Sequence, residues 1–180
     1  MVDFVEFPKI ARLSREIIIT EKIDGTNGVI HIGEDGALLV GSRTQWITPE
    51  KDNFGFARWA SEHKDELMKL GPGRHYGEWW GSGIQRGYGL PKDEKRFSLF
   101  NTSKWADDTM RPACCHVVPI LHTGIFSTWA IDGCLDLLRG KGSIAAPGFT
   151  KPEGVVIFHV AGHVGFKKTI LKDEEYKGKT

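Results

Sequence analysis

Lys22 stands between two carboxylates, Glu21 and Asp24, in the run EKIDGTN, residues 21 to 27. Apolar segments flank this run on both sides: IIIT before it and GVIHI after it. An amine so placed can act as a nucleophile toward phosphorus, but only when neutral. A free lysine, with a pKa of about 10.4, is neutral in roughly one molecule in 2,500 at pH 7, a cost of about 4.6 kcal/mol. A chain that uses such a lysine must therefore bring cations or a metal beside it, hold a nucleotide, and supply a carboxylate for the metal. Taken alone, K-x-D-G also reads as a surface turn with a solvated ion cluster, because Asp-Gly is a common turn pair.

Further along the chain, residues that meet these requirements occur in order. Arg43 lies in GSR, Glu78 in YGEWWG, and Phe100 and Asn101 in FSLFN. Glu153 lies in PEGVVI, and Lys167 and Lys168 in GFKKT. Singly, each has an ordinary explanation: an exposed strand position for the glutamates, core for Phe100, edge-strand charges for the lysines.

The elements that must position them are mostly strands. Residues 16–23, 28–32, 37–41, 75–80, 96–101, 115–121, 154–160 and 164–170 have strand character, and Glu34-Asp35-Gly36 supplies a hairpin turn between the second and third. Two helices interrupt them. Phe56, Trp59, Ala60, His63, Leu67 and Leu70 share one helical face, with Asp52 or Asn53 to cap the start and Gly71-Pro72 to end it. A second helix spans about 127–139, with Ile131, Leu135 and Leu138 on one face and Gly140 just past the end. Residues 81–95, with four glycines and a proline, form a long loop. The expected class is α+β: mostly antiparallel sheets with flanking helices.

The 180 residues form one domain by length. The net charge of +1 excludes a polycation, so nucleic-acid binding must come from a local patch. No apolar run is long enough to span a membrane, and the acidic N-terminus is unlike a signal peptide, so a cytoplasmic setting is expected. Cys114, Cys115 and Cys134 are an odd count, which argues against a disulfide framework. His159 and His163 have no zinc-site partners at suitable spacing.

Taken as an ordered set, these motifs resemble those of the covalent nucleotidyltransferases: ATP-dependent RNA and DNA ligases and the mRNA capping enzymes. EKIDGTN is similar to their motif I, GSR to the arginine-bearing motif that follows, and YGEWWG, FSLFN, PEGVVI and GFKKT to motifs III, IIIa, IV and V. The glutamate before the lysine and the T-N after the glycine resemble the RNA ligase branch of phage and RNA-editing enzymes. The likeness runs from residue 7 to about 173.

The resemblance implies a nucleotidyltransferase (ATP-grasp-like) domain that adenylates itself on Lys22 with ATP and Mg²⁺ or Mn²⁺. AMP would then pass to a 5′-phosphate end, preferably of RNA, and a 3′-hydroxyl would seal the strand. It implies that Glu21, Ile23 and Asn27 lie around the adenine and phosphate, and that Asp24 sits against the lysine or ribose. Arg43 would contact the phosphates and nucleic acid, Glu78 the ribose, and Phe100 the adenine, with Asn101 beside it. Glu153 would bind the metal and Lys167 the α-phosphate, while Lys168 would help keep Lys22 neutral. Asn101 replaces a frequent aspartate, and Thr169 stands where a second motif V lysine is common. A single domain without a C-terminal OB-type or helical clamp is expected, with duplex grip supplied by the core domain or a partner protein. The basic candidates are Arg86, Lys92, Lys95, Arg96, Lys172, Lys177 and Lys179. A monomer is the expected state. The alternatives are an adenylating or GTP-using capping enzyme that does not seal, a DNA ligase, and a silent nucleic-acid-binding module.

Overall fold

The computed structural model describes residues 2–171 and 173. Its strands assemble into two sheets. The first has the order β10-β9-β1-β8 and is antiparallel throughout, built from β1 (Glu16–Lys22), β8 (Ile120–Ile125), β9 (Gly154–His159) and β10 (Val164–Thr169). The second has the order β4-β3-β2-β5-β6-β7, from β2 (Thr26–Ile32), β3 (Leu38–Gly41), β4 (Trp46–Ile47), β5 (Gly73–Gly81), β6 (Lys95–Leu99) and β7 (Cys115–Val117). Only its last pair, β6 with β7, is parallel. The α+β class with antiparallel-rich sheets therefore holds.

Each sheet buries one face. In the first, Ile17, Ile19, Val155 and Ile157 pack against Cys134, Leu135 and Leu138 of α4 (Thr128–Lys141). In the second, Ile30, Ile32, Val40 and Ile47 pack under Phe56, Ala57, Ala60, Leu67 and Leu70, which come from α1 (Phe56–Glu62), α2 (Lys64–Leu67) and a 3₁₀ turn, Met68–Leu70. Side chains alternate across a strand, so the opposite faces are left to line the space between the sheets.

Four expectations need adjustment. The helical face at 56–70 is buried as the pattern requires, but the helix breaks at His63, whose ring bonds the Trp59 carbonyl at 2.8 Å. Asp52 caps it, accepting from Ala57 and Arg58 N–H at 2.8 and 3.1 Å. α4 runs past Gly140 and closes at Gly142, which takes the left-handed φ of 82°. The strand expected at 115–121 is two strands in different sheets, because Pro119 has no N–H for a continuing ladder; its carbonyl instead accepts from Glu21 N–H at 2.9 Å. The FSLFN strand ends at Leu99, before Phe100.

The K-x-D-G motif is the crossover between the sheets. Lys22 ends β1, and Thr26 begins β2. A Cβ at Gly25 would collide with the Trp79 carbonyl and come within 2.7 Å of Trp80 Cβ, so this close pass beneath β5 requires glycine. A small cluster of Ile23, Trp80, Tyr88, Val118 and Ala146 fixes the crossover from behind. No helix among the described residues is long and apolar enough to cross a membrane.

Candidate active site

Even-numbered residues of β1 face the inter-sheet space and odd ones face α4. Ile18, Thr20 and Lys22 therefore line a cleft of about 870 Å³ that also receives Asn27, Arg43, Glu78, Phe100, Asn101, Val156 and Lys167. Lys22 pairs in register with Gly154, so the residue before that glycine, Glu153, is delivered to the lysine. Lys22 Nζ donates to Glu153 Oε2 at 2.6 Å, with the side chains 23% and 17% exposed. Lys167 reaches the same cleft from β10, where it pairs with Val156.

The next contacts lock the crossover. Glu78 accepts from Gly25 N–H at 3.0 Å and from Asn27 Nδ2 at 3.1 Å, tying motif I to β5. Burial pushes its carboxyl up to about 7, and the nearby Glu153 and Asp24 add to the rise; Gly25 N–H and the Lys22 charge oppose it. Asp24 N–H donates to Tyr88 Oη at 2.8 Å, and Asp24 Oδ2 accepts from Arg86 Nε at 2.7 Å.

Three expected site residues are placed differently. Lys168 is next to Lys167 on a strand and so faces the other way. It pairs with Val155 on the α4 side and bonds Asp132 Oδ1 of that helix at 2.9 Å, which takes it out of the Lys22 group. Glu21 also points away from the cleft. Its carboxylate accepts from Ser143 Oγ at 2.5 Å and from Ile144 and Ala145 N–H at 2.8 and 2.9 Å, on the side away from the cleft. Arg86, expected on nucleic acid, is taken up by Asp24 and by the Lys151 carbonyl at 2.9 Å.

Ile23 and Asn27 line the cleft. Arg43 does so from the turn between β3 and β4. Phe100 is 42% exposed on the cleft wall. Asn101 caps α3 (Thr102–Trp105), its Oδ1 accepting from Lys104 N–H at 3.1 Å, a task an aspartate would also perform. Among the other basic candidates, Arg96 bonds Glu94 and lies over the Trp80 ring. Lys172, Lys177 and Lys179 lie outside the described residues.

Tyr88 and Ser143 were not singled out in the sequence. Tyr88 lies in a glycine-rich loop with no periodicity, and Ser143 reads as an ordinary post-helix polar residue.

The donor set fits a nucleotide. Three lysines, Lys22, Lys104 and Lys167, and two arginines, Arg43 and Arg74, line one cleft, and the half-exposed Phe100 ring offers a face to a base. Among the described residues no three His, Cys, Asp or Glu side chains gather as a ready metal site. A divalent cation at Glu153 would take its other ligands from phosphate oxygens and water, which suits Mg²⁺ and its relatives.

Two antiparallel-rich sheets thus enclose a cleft with a lysine–carboxylate pair at its edge. The sequence profile of the family described as RNA ligase matches residues 15–172, and the chain belongs to that family. No curated protein matches it. Among solved structures it is similar to a Naegleria gruberi RNA ligase mutant with ATP and Mn (TM-score 0.62, 19% identity, 92% of this chain and 53% of that one). It is also similar to an apo mutant of Naegleria gruberi RNA ligase (0.61, 20%, 87% and 50%) and to another mutant with AMP and Mn (0.59, 19%, 87% and 50%). At such identity the likeness is one of fold, and the chain spans about half the length of these structures.

Proposed function

We propose that the chain is the adenylyl-transfer unit of an ATP-dependent RNA ligase. Lys22 Nζ attacks the α-phosphorus of ATP, forming a P–N bond as pyrophosphate leaves. The AMP then passes to a 5′-phosphate end, giving a 5′–5′ pyrophosphate and regenerating the lysine. A 3′-hydroxyl attacks that end, the phosphodiester forms, and AMP leaves. The observation that carries the reading is the 2.6 Å contact between Lys22 and Glu153, with Lys22 and Lys167 lining the same cleft. Family membership and similarity to ligases solved with ATP or AMP and Mn support ATP and a divalent cation as the small molecules involved.

Each step moves a phosphoryl-type group, so positioning and charge stabilisation do most of the work. Lys167 and Arg43 set cations on the phosphate side. Phe100 offers its ring to the adenine, and Glu78 its carboxylate to the ribose. Lys22 Nζ donates to Glu153 Oε2, so that contact must open before the amine can attack. A divalent cation bound there would neutralise Glu153 and screen the phosphate charge.

Pulse-chase labelling tests this reading. Protein labelled from α-labelled ATP should release its label when unlabelled ATP and 5′-phosphorylated RNA are added, giving capped ends and then sealed product. Labelling from GTP, or capped ends that never seal, would contradict it.

A further inference from the structure

The second sheet buries one face on α1 and α2, and its other face is uncovered beside the cleft. Cross-strand register places its side chains in rows. One row runs Trp46, Gly41, Val29, Tyr76, and ends at Phe100, whose N–H donates to the Tyr76 carbonyl at 2.9 Å. The next row outward holds Leu39, His31 and Arg74. The next row inward is Asn27 and Glu78, already at the site.

Trp46 and Tyr76 are 50% and 53% exposed. The missing side chain at Gly41 lets the Trp46 indole lie down on the sheet: a Cβ there would come within 3.1 Å of Trp46 Cε3. The His31 and Trp46 rings are 6.2 Å apart. No acidic side chain stands in the Trp46 or His31 row, and among the described residues neither Arg43 nor Arg74 is in an ion pair.

We propose that this open face is a stacking platform for single-stranded RNA next to the end being joined, with Trp46, Tyr76 and His31 meeting bases and Arg43 and Arg74 meeting phosphates. The inference rests on the ligase reading and adds where the strand lies. Aromatic rings on an open sheet are how proteins stack two or three splayed bases, because every base presents a π-face. From β5 to β4 is three strand spacings, about 14 Å, which suits that number. Continuity decides the occupant. The Tyr76 row ends at Phe100, on the cleft wall, so a strand whose end reaches Lys22 has this face directly beside it.

The test uses a 5′-phosphorylated single-stranded oligouridylate and its bromouridine-substituted form, with the full chain and four variants. Trp46→Ala should weaken RNA binding about tenfold, with Trp46→Phe close to the parent. Tyr76→Ala should weaken it by a similar factor, and Arg74→Ala should reduce the salt slope by about one. Photocrosslinks should map to Trp46 or Tyr76. Lysyl-AMP formation by Trp46→Ala should equal the parent's. Parental RNA affinity in all the folded variants, with crosslinks elsewhere, would overturn the platform; a face reserved for a protein partner gives that result. Should Trp46→Ala fail to fold, the exposed Arg74→Ala change and the crosslink map decide. If RNA binding is unchanged while lysyl-AMP still forms, only the platform fails. If the parent forms no lysyl-AMP, the ligase reading itself fails.

Discussion

Arg86 Nε donates to Asp24 Oδ2 at 2.7 Å, and Nη1 of the same guanidinium donates to the Lys151 carbonyl at 2.9 Å. One side chain thereby joins the K-x-D-G crossover to the turn that delivers Glu153. Both partners flank the Lys22–Glu153 pair, so Arg86 sets the spacing between the amine and the carboxylate. Arg86→Ala should slow lysyl-AMP formation about tenfold, through kcat more than KM, because it loosens positioning instead of removing a ligand. Arg86→Lys should recover little, since a single ammonium cannot make both bonds in one plane. Single-turnover labelling from ATP checks this, and equal rates for all three proteins would contradict it.

Neighbouring lysines on β10 should separate sharply. Lys167 lines the cleft, while Lys168 bonds Asp132 on the far side of the sheet. Lys167→Ala should lower lysyl-AMP formation by about a hundredfold or more, the order expected when a charge-stabilising donor is lost. Lys168→Ala should leave it within about twofold and cost at most about 1 kcal/mol of stability, since its ion pair is exposed. A collapse of labelling in Lys168→Ala would return that residue to the site.

Glu21 is 1% exposed, and both its oxygens are engaged by the segment after α4. Removing the carboxylate strands three donors: Ser143 Oγ and the N–H groups of Ile144 and Ala145. Glu21→Ala should cost about 2 to 4 kcal/mol, since a buried unsatisfied donor costs about 1 to 3 kcal/mol and the lost bonds are charge-assisted. Denaturant unfolding measures this. A loss below about 1 kcal/mol would show that the pin does not carry load.

Glu78 gives a pH signature. Its folded-state pKa is raised to about 7 from an ordinary value of 4.5. The folded state therefore holds this proton more tightly than the unfolded chain does. The associated stability is complete below about pH 4.5, falls as pH rises, and is gone above about 7. At 1.36 kcal/mol per unit, the total is about 3 kcal/mol. The stability of the parent relative to Glu78→Gln should therefore fall between about pH 4.5 and 7 and level off above. A difference that does not vary with pH would contradict the buried, protonated carboxyl.

The strands and the candidate motifs were legible in the sequence because both are local. Runs of β-branched residues mark β1 and β9 and alternation marks β2, and K-x-D-G, YGEWWG and PEGVVI each hold their polar residues in neighbouring positions. Direction was less legible. That Lys167 and Lys168 are adjacent on a strand requires them to face opposite ways, but which one meets the cleft depends on the register between β10 and β9. Glu21 is the same case on β1: period two separates it from Lys22, yet its partners lie more than a hundred residues away, in a segment with no motif. The division of 115–121 between two sheets turned on Pro119, whose missing N–H was visible, while the destinations of the two halves were not. Arg86 read as a basic candidate for nucleic acid because its acceptors, Asp24 and a main-chain carbonyl, meet only in the folded chain.

The most direct test of the central claim is the intact mass of the protein after incubation with ATP and Mg²⁺ or Mn²⁺, followed by peptide mapping. A gain of one adenylyl group is expected, located on Lys22 and absent in Lys22→Ala. An unchanged mass, or an adenylyl group on a different residue, would contradict it.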